Sequence, residues 1–329
     1  VNRLHHIKQQ PSTYPAKFLA IWWVLIFTLV GCSVNKHLPE GEIFYNGASI
    51  KIIGDTVKVT KPKVLAAELK GLLRPKPNTK FLGRRQKVWY YYAAGEVTKD
   101  KGFKYWMKYK LGQPPVFMSD VNPERNIDII ENYLENNGYF FAKAKSDSVW
   151  GKNQGKVTYT VTPGHRYFIN EVNFPTDSGR VATLIRNSAA ESLLKKGNPY
   201  SFETLKNERV RVDEWVKNRG YYLFNADYLL MRVDTTIESH LANVNVTIKR
   251  ATPNNATKPW SINNIYIYPN YVAANDSIRD DSTWWHKNYF VVDPQAAYKP
   301  TLFDEVISFE PNEIYNRDDH NKTLSRLVN

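Results

Sequence analysis

Few residues in this chain are placed to do chemistry. Its 329 residues include one cysteine, Cys32, and seven histidines. A lone thiol closes no intramolecular disulfide and supplies no Cys-rich metal site. It can still act as a nucleophile or accept a covalent group. His165, His240, His286 and His320 stand apart in the sequence, each beside different chemistry, and Asp, Glu and His do not recur at metal-ligand spacing. Paired acids occur at Asp280-Asp281 and Asp318-Asp319. The second pair falls at a predicted helix start, where carboxylates complement the helix dipole. P-loop, nucleophile-elbow and HExxH patterns are missing. The sequence therefore offers no catalytic set, no metal site and no cofactor site, and reads as a non-enzyme.

The thiol closes an apolar run. Arg3, Lys8 and Lys17 precede Phe18 to Val30, a stretch without charge. It is shorter than the roughly 20 residues that cross a bilayer core, and it fits the hydrophobic region of a signal peptide. The run ends in Leu29-Val30-Gly31-Cys32, which resembles a bacterial lipobox. There the small residue fits a narrow protease subsite and the cysteine accepts a diacylglyceryl group. A plain signal peptide or an uncleaved anchor with an incidental cysteine is the alternative. Ser33, Val34 and Asn35 follow. They carry neither an aspartate directly after the cysteine nor an acidic run, and both absences favour the periplasmic leaflet of an outer membrane. Two or three acyl chains give stable anchoring, since each buried methylene contributes roughly 0.8 kcal/mol. The first residue is Val, consistent with a GTG start or with a missing extreme N-terminus.

Charge is concentrated in one stretch. Between Lys58 and Lys110 there are 15 Lys or Arg against three acids, Glu68, Glu96 and Asp100, which accounts for nearly all of the net +13. Such a block implies an anionic partner close to one domain. Aromatics are interleaved with it: Arg84, Arg85, Lys87 and Trp89, then Lys104, Trp106 and Lys108. Trp with Lys and Arg suits contact with a membrane surface or another anionic partner. A solvated basic face over an aromatic core is the plainer reading. Nucleic acid is set aside because the export signal places the domain outside the cytoplasm. Mean hydropathy is −0.50, which excludes a polytopic helical membrane protein.

The remainder holds a repeat. Ile130 to Ala144 matches Val212 to Ala226, and the glycines Gly138 and Gly220 align. In each copy apolar residues at helical spacing (Ile130, Tyr133, Leu134; Val212, Trp215, Val216) form a core-facing stripe. The glycine follows where a left-handed residue ends a helix. Tyr139 and Tyr221 come next, at corners read as structural, and the aromatic pair there is expected to begin a strand. Strict alternation predicts strands at Lys156 to Thr162 and Ala242 to Ile248. Further strands are expected at Ala48 to Ile53, Tyr167 to Phe174 and Ser261 to Tyr268. Helices are expected over Pro62 to Leu73, Phe81 to Ala94, Arg180 to Lys195, Phe202 to Asn218 and Tyr315 to Val328. A long loop is expected from Asn270 to Pro300. The order strand, helix, helix, strand, strand implies an α+β fold, a small mixed sheet with two helices on one face.

This order, with its Asn-x-Gly-Tyr-aromatic corner, resembles the polypeptide-transport-associated (POTRA) domain. Together with the lipobox, the segments Leu38 to Gly47 and Gly112 to Val116 resemble more specifically TamL, the Bacteroidetes lipoprotein relatives within the BamA/TamA outer-membrane assembly superfamily. The resemblance divides the chain into a lipoprotein signal peptide (1–31), a tether (32–41), a first POTRA-like domain (42–164) with a basic insert at about 55–113, a second (165–250), a linker (251–259) and an incomplete third with a long insert (260–329). It implies a longer gene product that continues into an outer-membrane barrel. Implied partners are unfolded outer-membrane protein clients, a TamB-like inner-membrane bridging protein, and membrane lipid through acylated Cys32. POTRA sheets expose strand edges to which an extended client can add. The strands following Gly138 and Gly220 are the candidate edges. The alternative is a stand-alone outer-membrane lipoprotein that binds a partner without a barrel.

Overall fold

The computed structural model describes residues 34–54, 61–237, 240–269 and 283–328. Leu29, Val30, Gly31, Cys32 and the apolar run before them lie outside these residues, as does Asp280-Asp281. Among the described residues no helix is long and apolar enough to cross a membrane.

Three small sheets follow one another along the chain. The first contains β1 (Phe44–Ile52), β2 (Lys143–Trp150) and β3 (Gln154–Thr162). The second contains β4 (Phe168–Asn173), β5 (Leu229–Asp234) and β6 (Leu241–Ile248). The third contains β7 (Tyr266–Ile267), β8 (Thr283–His286) and β9 (Tyr289–Val292). All three share one plan, in which the last strand lies in the middle, parallel to the first and antiparallel to the second. Between β4 and β5 lie α5 (Arg180–Asn187) and α6 (Phe202–Lys217). The second repeat is thus strand, helix, helix, strand, strand, the POTRA-like order expected from the sequence. Between β1 and β2 lie α1 (Pro62–Leu72), α2 (Gln86–Ala93), α3 (Phe103–Trp106), which runs on into a single π turn (Met107–Leu111), and α4 (Pro123–Asn136). The last helix, α7, is Arg317–Val328. The fold is α+β.

Packing divides the chain into two compact units, Val1–Tyr133 with Ala142–Pro163, and Leu134–Phe141 with Gly164–Asn329. The first holds the first sheet and the second holds the other two. The central strands form because alternate residues bury one face. Val157, Tyr159 and Val161 of β3 are fully buried, and so are Ala242, Val244 and Val246 of β6. Burying each of the larger of these side chains contributes about 1.5–3 kcal/mol. Helix α6 starts at Ser201, whose side chain accepts the Thr204 amide at 3.3 Å, a serine N-cap. Its stripe of Leu205, Val212 and Val216 joins Val181 and Ile185 of α5 over the second sheet.

The two glycine corners are as expected in conformation. Gly138 has φ +89° and Gly220 has φ +102°, a region open to glycine and costly to other residues. Both are closely enclosed, Gly220 the more so. A Cβ at Gly138 would lie 3.1 Å from the Tyr200 carbonyl, and one at Gly220 would lie 2.6 Å from Ile314.

The structure corrects several boundaries. The aromatic pairs after the corners turn rather than start a strand, and β2 and β5 begin later, at Lys143 and Leu229. Strand β1 begins at Phe44 instead of Ala48, because Phe44 and Tyr45 are buried and a register shift between Tyr45 and Ala48 absorbs Asn46-Gly47. The helix expected over Phe81 to Ala94 starts only at Gln86, since Phe81 and Arg84 close a tight turn in which Leu82 (φ +47°) and Gly83 (φ +77°) both take left-handed values. The helix expected over Arg180 to Lys195 ends at Asn187, where the Ser188 hydroxyl donates to the Ile185 carbonyl at 2.7 Å. The final helix begins at Arg317, two residues later than expected. Within the expected loop Asn270 to Pro300, the described part holds the β8–β9 hairpin, which completes the third sheet.

Candidate functional site

In each of the first two sheets the outer strands differ in how their backbone groups are used. The start of β1 is covered by the segment ahead of α4: the Tyr45 amide donates to the Val116 carbonyl at 2.9 Å and the Met118 amide to the Ile43 carbonyl at 2.8 Å. The start of β4 is covered in the same way by the segment ahead of α6. Ile169 donates to Asn198 at 2.8 Å, Gly197 to Ile169 at 2.7 Å and Tyr200 to Tyr167 at 2.9 Å. The opposite edges are β2 and β5, the strands that the sequence singled out, and no strand among the described residues pairs with their outer sides.

Hydrogen-bond phase identifies the outward groups. The Gly151 amide donates to the Gln154 carbonyl at 3.0 Å, which fixes 149, 147, 145 and 143 as the residues bonded to β3. Ala144, Ser146, Ser148 and Trp150 therefore turn their backbone groups away from the sheet. Consistent with this, the Ala144 amide is bonded to the Glu131 carboxylate at 2.8 Å. On β5 the Lys249 amide donates to the Tyr228 carbonyl at 2.8 Å, so Leu229, Met231 and Val233 face outward. The Leu229 amide closes the preceding turn by donating to Ala226. The open run is thus Ser146, Ser148 and Trp150 on β2, and Met231 and Val233 on β5.

The corner residues have a further role that the sequence pattern did not reveal. The Gly138 carbonyl accepts the Tyr167 amide, and the Gly220 carbonyl accepts the Trp260 amide, both at 2.8 Å. Tyr167 then accepts from Tyr200 and Trp260 accepts from Tyr315, both at 2.9 Å. The residue two past each glycine packs on that same tyrosine: Phe140 on Tyr200 and Tyr222 on Tyr315, each at 4.8 Å between ring centroids. Tyr139 and Tyr221 are buried. Each corner therefore bonds its glycine carbonyl to the residue that leads into a later strand, and both sets of contacts lie within the second compact unit. At the second corner Asp213 accepts from Arg317 at 2.7 Å and Lys217 at 2.9 Å, and Asn218 exchanges two hydrogen bonds with Asp318. Tyr200 and Tyr315 make the same contacts, but their separation in sequence exceeds the repeat period, and the β8–β9 hairpin lies in between.

The basic insert resolves into different environments. Arg84 and Arg85 line one cavity. Lys87, Trp89, Lys104, Trp106 and Lys108 do not line it. Trp89 packs half-buried against the cluster of Val34, Phe44 and Val88. Lys108 donates to the Gly95 carbonyl at 2.8 Å and lies over the Tyr91 ring. Lys87 and Lys104 are exposed, and Trp106 is exposed beside Phe103.

The histidines are less isolated than the sequence suggested. His165 and His240 stack at 3.7 Å, because β4 and β6 run parallel with Phe168 opposite Leu241 and so bring the residues before each strand side by side. His286 contacts Asp304 at 3.1 Å and His320 contacts Tyr315 at 3.1 Å. Among the described residues no group of three or more His, Cys, Asp or Glu could hold a metal ion.

No protein-family profile and no curated protein matches the chain. Among solved structures it is similar to BamA POTRA3-5 of Haemophilus influenzae, at 13% identity over 88% of this chain and 87% of that one, with a TM-score of 0.38. It is also similar to POTRA1-3 of the periplasmic domain of Omp85 from Anabaena, at 12% identity over 88% and 86%, with a TM-score of 0.33. Both TM-scores are below 0.5, and the fold assignment rests on the strand order and pairing given above.

Proposed function

We propose that this chain is the periplasm-facing POTRA region of a lipid-anchored factor for outer-membrane protein assembly or translocation. Its domains are those expected from the sequence, at 42–164, 165–250 and 260–329, tethered through acylated Cys32. Its clients are extended segments of unfolded barrel proteins, and a TamB-like bridging protein is a partner. The observation that carries this reading is the asymmetry of the edges. The first strands are covered where they start, while β2 and β5 leave alternate amides and carbonyls unpaired by any described strand. Strand addition satisfies such groups through the client's backbone and asks little of its side chains. A binder of many sequences needs that property.

Proline separates this reading from general damage. At an outward position it removes the edge donor and leaves the bonds to the central strand, whereas at an inward position it breaks the ladder. The full chain, with a photocrosslinker at Val149 or Arg232, is challenged with a urea-unfolded outer-membrane porin. Ser148→Pro with Val233→Pro is expected to remove most of the crosslinked product while circular dichroism stays unchanged. Undiminished crosslinking in that folded variant rejects strand addition.

A further inference from the structure

The cavity at Arg84 and Arg85 has a volume of about 710 Å³, within the range of small-ligand sites. Lys152 and Lys156 also line it, and no acid does. Arg85 is the notable member. Its Nε and Nη2 are buried without a hydrogen-bond partner among the described residues, while its guanidinium lies 4.8 Å from the centre of the Phe44 ring. A buried charged donor without a partner is costly, and a cavity lined by four cations and no acid attracts an anion. Burial also pulls the Arg85 pKa down, and burial with Arg85 nearby does the same to Lys80, the sign of cations crowded away from counter-charge. Arg85 is the N-cap of α2 and its side chain makes no capping hydrogen bond, so the helix dipole adds to the positive field.

Immediately before these arginines the tight turn presents Phe81 and Leu82, which are 61% and 74% exposed. An apolar tip beside a cationic cavity is the arrangement of a surface that rests on lipid, with apolar groups in the acyl boundary and cations on the phosphates. Val34 and Asn35 line the same cavity. Val34 is two residues from Cys32, so an acyl anchor there would sit within about 7 Å of chain from the cavity wall.

We infer that this cavity binds the phosphate of a membrane phospholipid headgroup, with Arg85, Arg84, Lys152 and Lys156 as its ligands and the Phe81-Leu82 turn seated in the bilayer surface. The lipid source rests on the proposed anchoring at Cys32, while the phosphate chemistry does not. The full chain in detergent is tested in two ways. Thermal melting is measured with inorganic phosphate against chloride at constant ionic strength, and native mass spectrometry counts retained phospholipid. The wild type is expected to be stabilised by phosphate and to retain phospholipid. Arg85→Gln should bind phosphate at least about tenfold more weakly, a loss of one charge-assisted contact. The exposed pair Lys152→Gln with Lys156→Gln should do the same without touching the Phe44 stack, and Lys99→Gln with Lys101→Gln should behave as wild type. Phosphate stabilisation without retained phospholipid overturns the headgroup assignment in favour of a soluble phosphate. No phosphate response, with equal lipid retention in all variants, overturns the site. The mass of the N-terminal peptide reports acylation separately, so an unacylated chain that still shows both signals contradicts the anchor and leaves the cavity standing.

Discussion

The first and second sheets share a plan but fasten it with different chemistry. In the first, the segment between β1 and α4 is long, and its turn at Arg74 has a backbone amide and carbonyl that no strand pairs. One buried side chain answers both: Asn126 accepts from the Arg74 amide at 3.0 Å, donates to its carbonyl at 2.7 Å and reaches the Tyr159 hydroxyl at 2.9 Å. Asn78, also buried, does the same for the strip that covers β1, donating to Pro114 and accepting from Val116, both at 2.8 Å. An amide side chain offers a donor and an acceptor on separate atoms without charge, as a peptide group does. In the second sheet the corresponding connection is short, and the Leu193 amide within it is bonded to a side chain of α6. There the fully buried Glu208 accepts from Leu193 at 2.9 Å and is neutralised by a bidentate Arg211. A long insertion is held by neutral mimics of backbone, and a compact helix pair by a buried ion pair.

The largest expected effect tests the second fastener. Glu208→Ala leaves Arg211 charged and unpaired, and should cost about 3–5 kcal/mol in urea unfolding of the second unit. Replacing both partners by Met and Leu should recover most of that loss. If the double replacement is as unstable as the single one, the pair is not the fastener. The first fastener should give a smaller number: Asn126→Leu strands the Arg74 backbone and the Tyr159 hydroxyl, at about 1–3 kcal/mol. Its loss should also speed amide exchange at Arg74 while leaving the second unit alone. Equal losses at Asn126 and Glu208 would erase the contrast.

The smallest effect lies in the third sheet, whose hairpin is held by neither device. Asp304 accepts from Lys287 at 2.6 Å and Tyr289 at 2.7 Å. The Lys287 and Tyr289 hydrogen bonds hold its carboxyl down at about 2, below the ordinary carboxylate value of 3.8. A folded pKa below the unfolded one stabilises above the unfolded value, and that contribution is lost as pH falls through the folded one. Fluorescence of Trp284 and Trp285 should therefore change between about pH 4 and pH 2, and Asp304→Asn should abolish that step. A change confined to pH above 5 would point to another group.

Much of this was legible in the sequence where pattern is local. The stripes of α4 and α6, their terminal glycines and the alternating β3 and β6 each declare themselves within a few residues. Phe81 to Arg85 did not, because two left-handed residues inside an apolar stretch override its helical spacing. The β8–β9 hairpin was hidden by its shortness, with four residues to a strand. The strands after Gly138 and Gly220 were named as candidate edges only through the resemblance, since nothing in β2 and β5 themselves marks an edge as free. The free edges depend on where Val116–Met118 and Gly197–Tyr200 settle, which is a property of the folded chain. The basic cavity likewise joins Arg84 and Arg85 to Lys152 and Lys156 across a long stretch of sequence.

Hydrogen–deuterium exchange of the full chain, with and without a urea-unfolded outer-membrane porin, tests strand addition most directly. Protection is expected at the outward amides of Ser146, Ser148, Met231 and Val233, with Lys145, Asp147 and Arg232 already protected in its absence. Client binding that leaves those outward amides exchanging as before, or that protects the covered starts of β1 and β4 instead, would contradict it.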